Sequence, residues 1–446
     1  MLDKIESFFN LKTYNTSIRK EFLAGLASFL AISYIIVVNP KILATTGMPS
    51  NALVTSTILI SAFGSITMGL FTRNPFVIAP GMGMNIFFAY TAVSVYHLPW
   101  QTVLGATFWS GIIFSLLVIL NIRTKIMLSL PKSIKQSLGA GIGLFIAYIG
   151  FMNSGFITSN EGLLTLNSLN VHTLLFIVCL IILIILFIKK IPAPIIIVIT
   201  LGYILCLPLE YFSQQKIVSL PTHIVSLPDF SLIGQIDFIN GLKFAILPTI
   251  FTFCFLSLFD GTGTISSLYG SMGKEHNHHD RELKKTFLAD ATSATISGIL
   301  GSSPSTVVVE SGVGIAQGAR SGLTAIFAGL MFLPFLFLSP LISSIPIEVI
   351  SPALVLIGIM MMQQVANVDW SDFVQATPAF FTIIMMTLAS SISTGIASGI
   401  IVWFLISIFC NKKELNLTAA IIIIFCVIMF LHAVNLLLKK NSLLFY

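Results

Sequence analysis

Residues Pro75 to Asn85 read PFVIAPGMGMN, and residues Pro304 to Gly314 read PSTVVVESGVG. Each stretch opens on proline, runs through β-branched residues and closes on two glycines one residue apart. Val77-Ile78-Ala79 and Val307-Val308-Val309 are too short for helices, and their Pro and Gly boundaries favour extended backbone. Both stand in apolar surroundings. Extended backbone at membrane depth leaves N–H and C=O groups without partners unless it is buried in protein, pairs with another strand or lines a cavity. The expectation is that the two stretches pair, that each feeds a half-helix, and that free backbone groups and helix N-termini face a polar pocket. Gly81, Gly83, Gly312 and Gly314 could instead serve close helix packing alone. Recurrence of the pattern at equivalent places of a repeat favours the paired arrangement.

Composition sets the environment. Only 9% of the 446 residues are charged and 56% are hydrophobic, with a mean hydropathy of +0.98, where a soluble domain carries roughly a quarter charged residues. A water-soluble globule is excluded, and the net charge of +6 is not a nucleic-acid footprint because Lys and Arg sit in short clusters between apolar runs. Spanning segments are expected near 22–44, 51–71, 76–96, 101–121, 133–152, 171–189, 193–211, 243–270, 286–301, 305–318, 321–341, 346–364, 372–391 and 393–410. The chain therefore reads as an all-α polytopic membrane protein of about fourteen segments. Segments three and ten carry the two interrupted stretches, and Pro131 and Pro346 open the corresponding segments two further on. Seven segments separate the copies, an odd number, so the halves form a 7+7 inverted repeat whose interface near the bilayer midplane is the expected binding site.

With a cytoplasmic N-terminus, 18 of the 23 basic residues fall on the inside, from Lys4 to Lys413, leaving Lys41, Lys216, Lys243, Lys439 and Lys440 outside. Residues 1–21 are amphipathic and lack a signal-peptide core and cleavage site. A further apolar run, 417–438, either crosses again or lies at the interface. Cys179, Cys206, Cys254, Cys410 and Cys426 lie in apolar segments without paired spacing, so they read as packing residues, with neither disulfide nor zinc site. His276-Asn277-His278-His279-Asp280 sits among Lys274, Arg281, Lys284 and Lys285 and reads as a solvated loop; no metal site is expected.

Three acids stand in apolar or small-residue context: Asp260, Asp290 and Glu310. An ionised carboxylate at a helix centre costs about 2.5–3.5 kcal/mol on insertion scales, so such residues face a water-filled cavity or a partner. Asp260 lies mid-segment in FCFLSLFDGTGT, and Glu310 at the junction of its extended run and half-helix. Each could instead be structural, Glu310 as a cap and Asp260 as a local acceptor. Asp290, five residues past Lys285, reads as an interfacial acid. Carboxylates suit a solute rich in N–H donors, and one that titrates can couple uptake to a proton. Of the 37 Phe, Phe76, Phe87 and Phe88 flank the first interruption and are the candidates to stack on a planar solute.

At these residues the chain resembles the AzgA-like purine permeases, a branch of the nucleobase/cation symporters with the UraA-type fold. The resemblance runs over nearly the whole length, through NPFVIAPGMGMNIFFAY, GAGIGLFIAYIG, FLSLFDGTGT, FLADATSATISGILGSSPSTVVVESGVGIAQGARSGLTA, SPALVLIGIMM and SISTGIASG. It implies short antiparallel strands in segments three and ten, with the base bound between them. It implies a core domain built from residues 22–121 and 243–341, and a gate domain built from 122–215 and 342–411, with 412–446 as a C-terminal apolar run and tail. Asp260 and Glu310 match the acids that hold the base. Thr264 falls where uracil-type relatives carry a histidine linked to proton coupling, and Ser311 where they carry Asn. Two departures from the purine branch lie near the site: Ser257 replaces an acid, and Val308 replaces a tyrosine two residues before the glutamate.

The expected function is proton-coupled import of purine bases such as adenine, guanine and hypoxanthine through the plasma membrane of a bacterium, with no enzymatic step and no cofactor beyond the proton as coupling ion. Asp260 and Glu310 would accept hydrogen bonds from the base and carry the coupling proton, more so Glu310. Backbone groups of Ala79 and Val309, with Asn85, Thr264 and Ser311, would complete the site. The relatives suggest a homodimer. The rival on the same fold is a sulfate-type anion carrier, against which two carboxylates argue. The rival in another class is an intramembrane aspartyl protease using Asp260 and Asp290, which lacks the YD and GxGD-like contexts.

Overall fold

A computed structural model describes residues 2–160, 163–213, 216–218, 220, 221, 223–272, 280–409, 420, 422–428, 430 and 431. A short helix, α1 (Leu2–Phe8), precedes the first repeat. The first span is split into α2 (Ile18–Ile32) and α3 (Ile35–Ala44) and is followed by α4 (Ser50–Thr72). Next come strand β1 (Ile78–Pro80), α5 (Met82–Ile86) with a π-helical continuation over Phe87–Val95, and α6 (Trp100–Ile119). Helix α7 (Ile122–Ser129) leads into α8 (Lys132–Asn153), a hairpin of β2 (Ile157–Asn160) and β3 (Leu163–Leu166), then α9 (Val171–Ile188) and α10 (Pro194–Ser213).

The second repeat has the same order of parts. Helices α11 (Leu247–Ser271) and α12 (Asp280–Leu300) precede strand β4 (Ser305–Val307) and the six-residue α13 (Ser311–Ala316). Helix α14 (Gly322–Phe332) runs on through a tighter turn into α15 (Ser339–Ser344), followed by α16 (Ile347–Met362), α17 (Phe373–Leu388) and α18 (Ile392–Phe409). Ten of these runs are long and apolar enough to cross a membrane, with Met82–Val95 and Phe373–Leu388 as shorter apolar helices. Every one of the fourteen expected segments is a helix or a strand feeding a helix. The largest boundary difference is α12, which starts six residues before the expected apolar edge because good helix formers, Glu282 to Lys285, carry it into the charged turn.

The two interrupted stretches do pair. β1 and β4 run antiparallel with Ile78 opposite Val307, Ala79 opposite Thr306 and Pro80 opposite Ser305. The pairing is extended by Gly81 N–H donating to the Pro304 carbonyl and Val308 N–H to the Val77 carbonyl, each at 3.1 Å. Outward-facing backbone groups are taken by hydroxyls: Ile78 N–H donates to Ser65 Oγ at 3.0 Å, and Val77 N–H to Ser311 Oγ at 2.9 Å. Gly64 on α4 permits this approach, since a Cβ there would lie 2.6 Å from the side chains of Ile78 and Ser293.

Helices α8, α16, α17 and α18 pack on one another, with α9 and α10 attached, while α2 to α6 pack with α11 to α15. The break between α2 and α3 is a feature the hydropathy pattern does not reveal. It falls at Ser33-Tyr34, where the Ser33 hydroxyl donates back to the Leu30 carbonyl at 3.0 Å and competes with the helical ladder. The loop around His276 (residues 273–279), Cys410, the 412–419 stretch and the tail 432–446 lie outside the described residues. Of the 417–438 run, residues 422–428 are helical, and Phe425 stacks on Phe251 with ring centroids 4.2 Å apart.

Glu21 ties the two repeats together. Its fully buried carboxylate accepts from Thr16 Oγ1 (2.8 Å), Arg320 N–H (3.1 Å), Ser321 N–H (3.2 Å) and Thr324 Oγ1 (2.6 Å), capping the start of α14. Removing it takes this acceptor from four donors, of which Ser321 N–H and Thr324 Oγ1 are buried. Glu21→Ala is expected to cost about 3 kcal/mol, read as a lowered midpoint of thermal unfolding in detergent; an unchanged midpoint would contradict this role.

Candidate functional site

The strand pair sits beside a cavity of about 640 Å³. One wall comes from the interrupted segments: Tyr34, Pro80, Gly81, Val308, Val309 and Glu310, joined by Asp260, Thr264 and the rings of Phe255 and Phe259 on α11. The opposite wall comes from α8, α16 and the turn that follows α16, with Lys135, Gly139, Ile142, Met360 and Gln364. The cavity extends along α11 past Gly263, Ser266 and Ser267, which are exposed.

The two carboxylates differ in how they are held. Glu310 stands in the turn between β4 and α13, and its Oε1 accepts a 2.6 Å hydrogen bond from the Tyr34 hydroxyl. Tyr34 reaches it because the α2–α3 break turns that residue inward. Asp260 is half-buried and takes no hydrogen bond among the described residues, so both its oxygens are free for a solute. Gly261 beside it is required by close approach: a Cβ there would lie 2.9 Å from the Asp290 carboxylate.

Asp290 is not interfacial. It is 1% exposed and accepts from Val307 N–H at 2.8 Å and Thr306 Oγ1 at 3.3 Å, clamping β4 from behind. The expected reading failed because Lys285 lies one and a half turns away on a helix that continues into the protein, so closeness in sequence to a charge cluster did not mean closeness to the surface. Arg123 on α7 also reaches inward, donating to Thr262 Oγ1 from Nε (3.2 Å) and from its terminal nitrogen (2.8 Å), with its guanidinium over the Phe287 ring.

Of the expected site residues, Asp260, Glu310, Thr264 and Val309 come together on the cavity wall. Ala79 is fully buried within β1, Ser311 spends its hydroxyl on Val77, and Asn85 is fully buried with its side-chain oxygen accepting from Ser303; these three support the wall without lining it. Phe76, Phe87 and Phe88 are likewise enclosed, packed on Tyr269 and Phe253. The aromatic side chains lining the cavity are Tyr34, Phe187 on α9 and, on α11, Phe255 and Phe259, whose ring centroids lie 4.5 Å apart. The spacing of four between this last pair in a strongly apolar helix carries no sequence signal that separates them from packing residues. Ser257 is buried against Met84, away from the cavity, whereas Val308 lines it. The half-helix after β4 is only six residues long, so its macrodipole contributes less than expected, and side chains supply most of the polarity there.

Residues 19–398 match the Permease family. The chain is 35% identical over 423 residues to Adenine permease AdeP of Escherichia coli, covering 94% of each chain. It is 33% identical over 441 residues to Guanine/hypoxanthine permease PbuO of Bacillus subtilis, covering 95% of this chain and 99% of that one. Guanine/hypoxanthine permease PbuG of the same organism is 36% identical over 425 residues, covering 92% and 95%. Among solved structures, the transmembrane domain of the cyanobacterial bicarbonate transporter BicA superposes with a TM-score of 0.65 at 15% identity, over 85% of this chain and 97% of that one. The murine anion transporter Slc26a9, in its inward-facing state, gives 0.63 at 11% identity, over 89% and 69%. At such identities these two establish the fold alone.

The different bonding of the acids gives a measurable contrast. Asp290→Ala leaves the Val307 N–H unpaired and is expected to destabilise the protein by about 2 kcal/mol, whereas Asp260→Ala, which breaks no internal bond, should shift stability by less than about 1 kcal/mol. Thermal unfolding of both variants in one detergent checks this; equal losses would contradict it.

Proposed function

The chain belongs to the Permease family, and within it to the AzgA-like purine permeases with the UraA-type fold, and from that membership we propose that it imports purine nucleobases by proton symport. The observation that carries the reading is the pairing of two carboxylates, Asp260 and Glu310, with aromatic faces in one cavity. A purine offers ring and exocyclic N–H groups as donors and a flat apolar face. Asp260 and the cavity-facing side of Glu310 accept the donors, Phe255 and Phe259 flank the ring, and Thr264 with the backbone around Val309 completes the edge. Ala79, Asn85 and Ser311 hold that backbone in place.

Protonation of a carboxylate, chiefly Glu310, neutralises the loaded site before it moves through a low-dielectric path. The moving body is the core domain of residues 22–121 and 243–341, and the static one the gate domain of 122–215 and 342–411, which also forms the contact of a homodimer. With the N-terminus in the cytoplasm, the cavity opens inward past Ser266 and Ser267.

The solved neighbours named as bicarbonate and anion transporters keep an anion carrier on the same fold as the second reading. Two carboxylates in the cavity speak against it, because a bound anion would face their repulsion. Uptake of labelled adenine, guanine and hypoxanthine in cells lacking their own purine permeases separates the two. Purine uptake that collapses with a protonophore, and falls at least about tenfold in Glu310→Ala, is the expected result. Competition by sulfate or bicarbonate with none by purines would replace this reading with the anion one.

A further inference from the structure

The cavity is open at one end and tied shut at the other. Its mouth lies along the later turns of α11, where a Cβ on the exposed Gly263 would meet nothing within 4 Å. On α8 it is lined by the first turns, from Lys135 to Ile142. Asn153, the last residue of that helix, stands about 16 Å beyond Ile142 at 1.5 Å per residue. There its side-chain amide donates to the Tyr90 hydroxyl at 2.6 Å. The Tyr96 hydroxyl is hydrogen-bonded to Ser393 Oγ at 2.5 Å and to Ser391 Oγ at 3.3 Å, and Thr91 Oγ1 donates to the Ser390 carbonyl at 3.4 Å. These bonds cross between the two groups of helices. Tyr90, Thr91 and Tyr96 follow α5, whereas Asn153 ends α8 and Ser390, Ser391 and Ser393 lie at the passage from α17 into α18.

The π-helical stretch Phe87–Val95 aims these side chains. In an α-helix, residues five apart point about 140° away from each other. A π-helix bonds each N–H to the carbonyl five residues back, as Tyr96 N–H does to the Thr91 carbonyl at 2.9 Å, and so stacks Tyr96 over Thr91. Both then reach the same turn of the other group of helices. The segment that carries them begins with Pro80, Gly81, Met82 and Gly83 on the cavity wall. That wall therefore cannot travel along α8 while these bonds hold.

We propose that Tyr90 and Tyr96 are positioning residues of transport, whose bonds to Asn153, Ser391 and Ser393 hold the two groups of helices together at the end remote from the cavity mouth and so set the balance between its two openings. This rests on the moving-core part of the reading above and not on the identity of the solute. Tyr90→Phe combined with Tyr96→Phe removes both hydroxyls and keeps both rings, so it loosens the remote end without opening a void. The readout is alkylation of Val309→Cys on the cavity wall, in a background with the five native cysteines replaced. A membrane-impermeant maleimide is added to one face or the other of membrane vesicles.

With the native tyrosines, alkylation is expected to be fast from the mouth side and slow from the remote side. The double variant should raise the remote-side rate about tenfold, the value of one to two hydrogen bonds, and leave the mouth-side rate within about twofold. Asn153→Ala combined with Ser393→Ala takes a partner from each tyrosine and should give the same one-sided rise, which keeps the test decisive where the tyrosine variants do not fold. An equal rise from both sides, the mark of a merely loosened fold, overturns the assignment. So does an unchanged remote-side rate in a folded variant. Equal rates from both sides with the native tyrosines sink the moving-core reading and this inference with it, whereas one-sided labelling that none of the substitutions alters sinks only the inference.

Discussion

Two three-residue strands meeting inside a helical membrane protein are the constraint on which the rest depends. A helix satisfies its own backbone, whereas a strand at this depth must find partners elsewhere. β1 and β4 find them in each other and, beyond the ladder, in Ser65, Ser311 and Asp290. Because one strand comes from each repeat, this pairing joins the two halves of the chain at the point where both segments are broken. The same requirement explains why so many hydroxyls crowd this region: Ser293, Ser297 and Ser305 bond one another directly behind β4.

The polar demand of the strands also organises the acids by task. Glu21 caps a helix start, Asp290 clamps a strand, and Glu310 shares its charge with a tyrosine, while Asp260 alone keeps both oxygens open to the cavity. These four carboxylates therefore have different roles, decided by which donors the fold aims at them. Structures with the same fold are named as carriers of bicarbonate and of anions, so the fold alone leaves the solute open. The acids in the cavity and the purine permeases among the relatives narrow it.

The inverted repeat, the paired strands and the prominence of Asp260 and Glu310 were legible in the sequence because each leaves a local mark. Proline and glycine bracket the strands, and carboxylates are rare in apolar runs. What was not legible depends on direction. Asn85, Ala79 and Ser311 lie in the right segments, yet point into the scaffold and not into the cavity. Tyr34 lies in an apolar run that hides a break, and its partner is 276 residues away. Asp290 looked peripheral because its helix continues without a hydropathy signal from a charged turn into the protein.

The central claim is that a purine sits against the turn joining β4 to α13. Val309 is 54% exposed there, on the cavity wall. The direct measurement is the rate at which a polar maleimide alkylates Val309→Cys in a background with the five native cysteines replaced. Adenine, guanine or hypoxanthine should slow that alkylation, while sulfate and bicarbonate leave it unchanged. Alkylation slowed by the anions and indifferent to every purine would contradict the account.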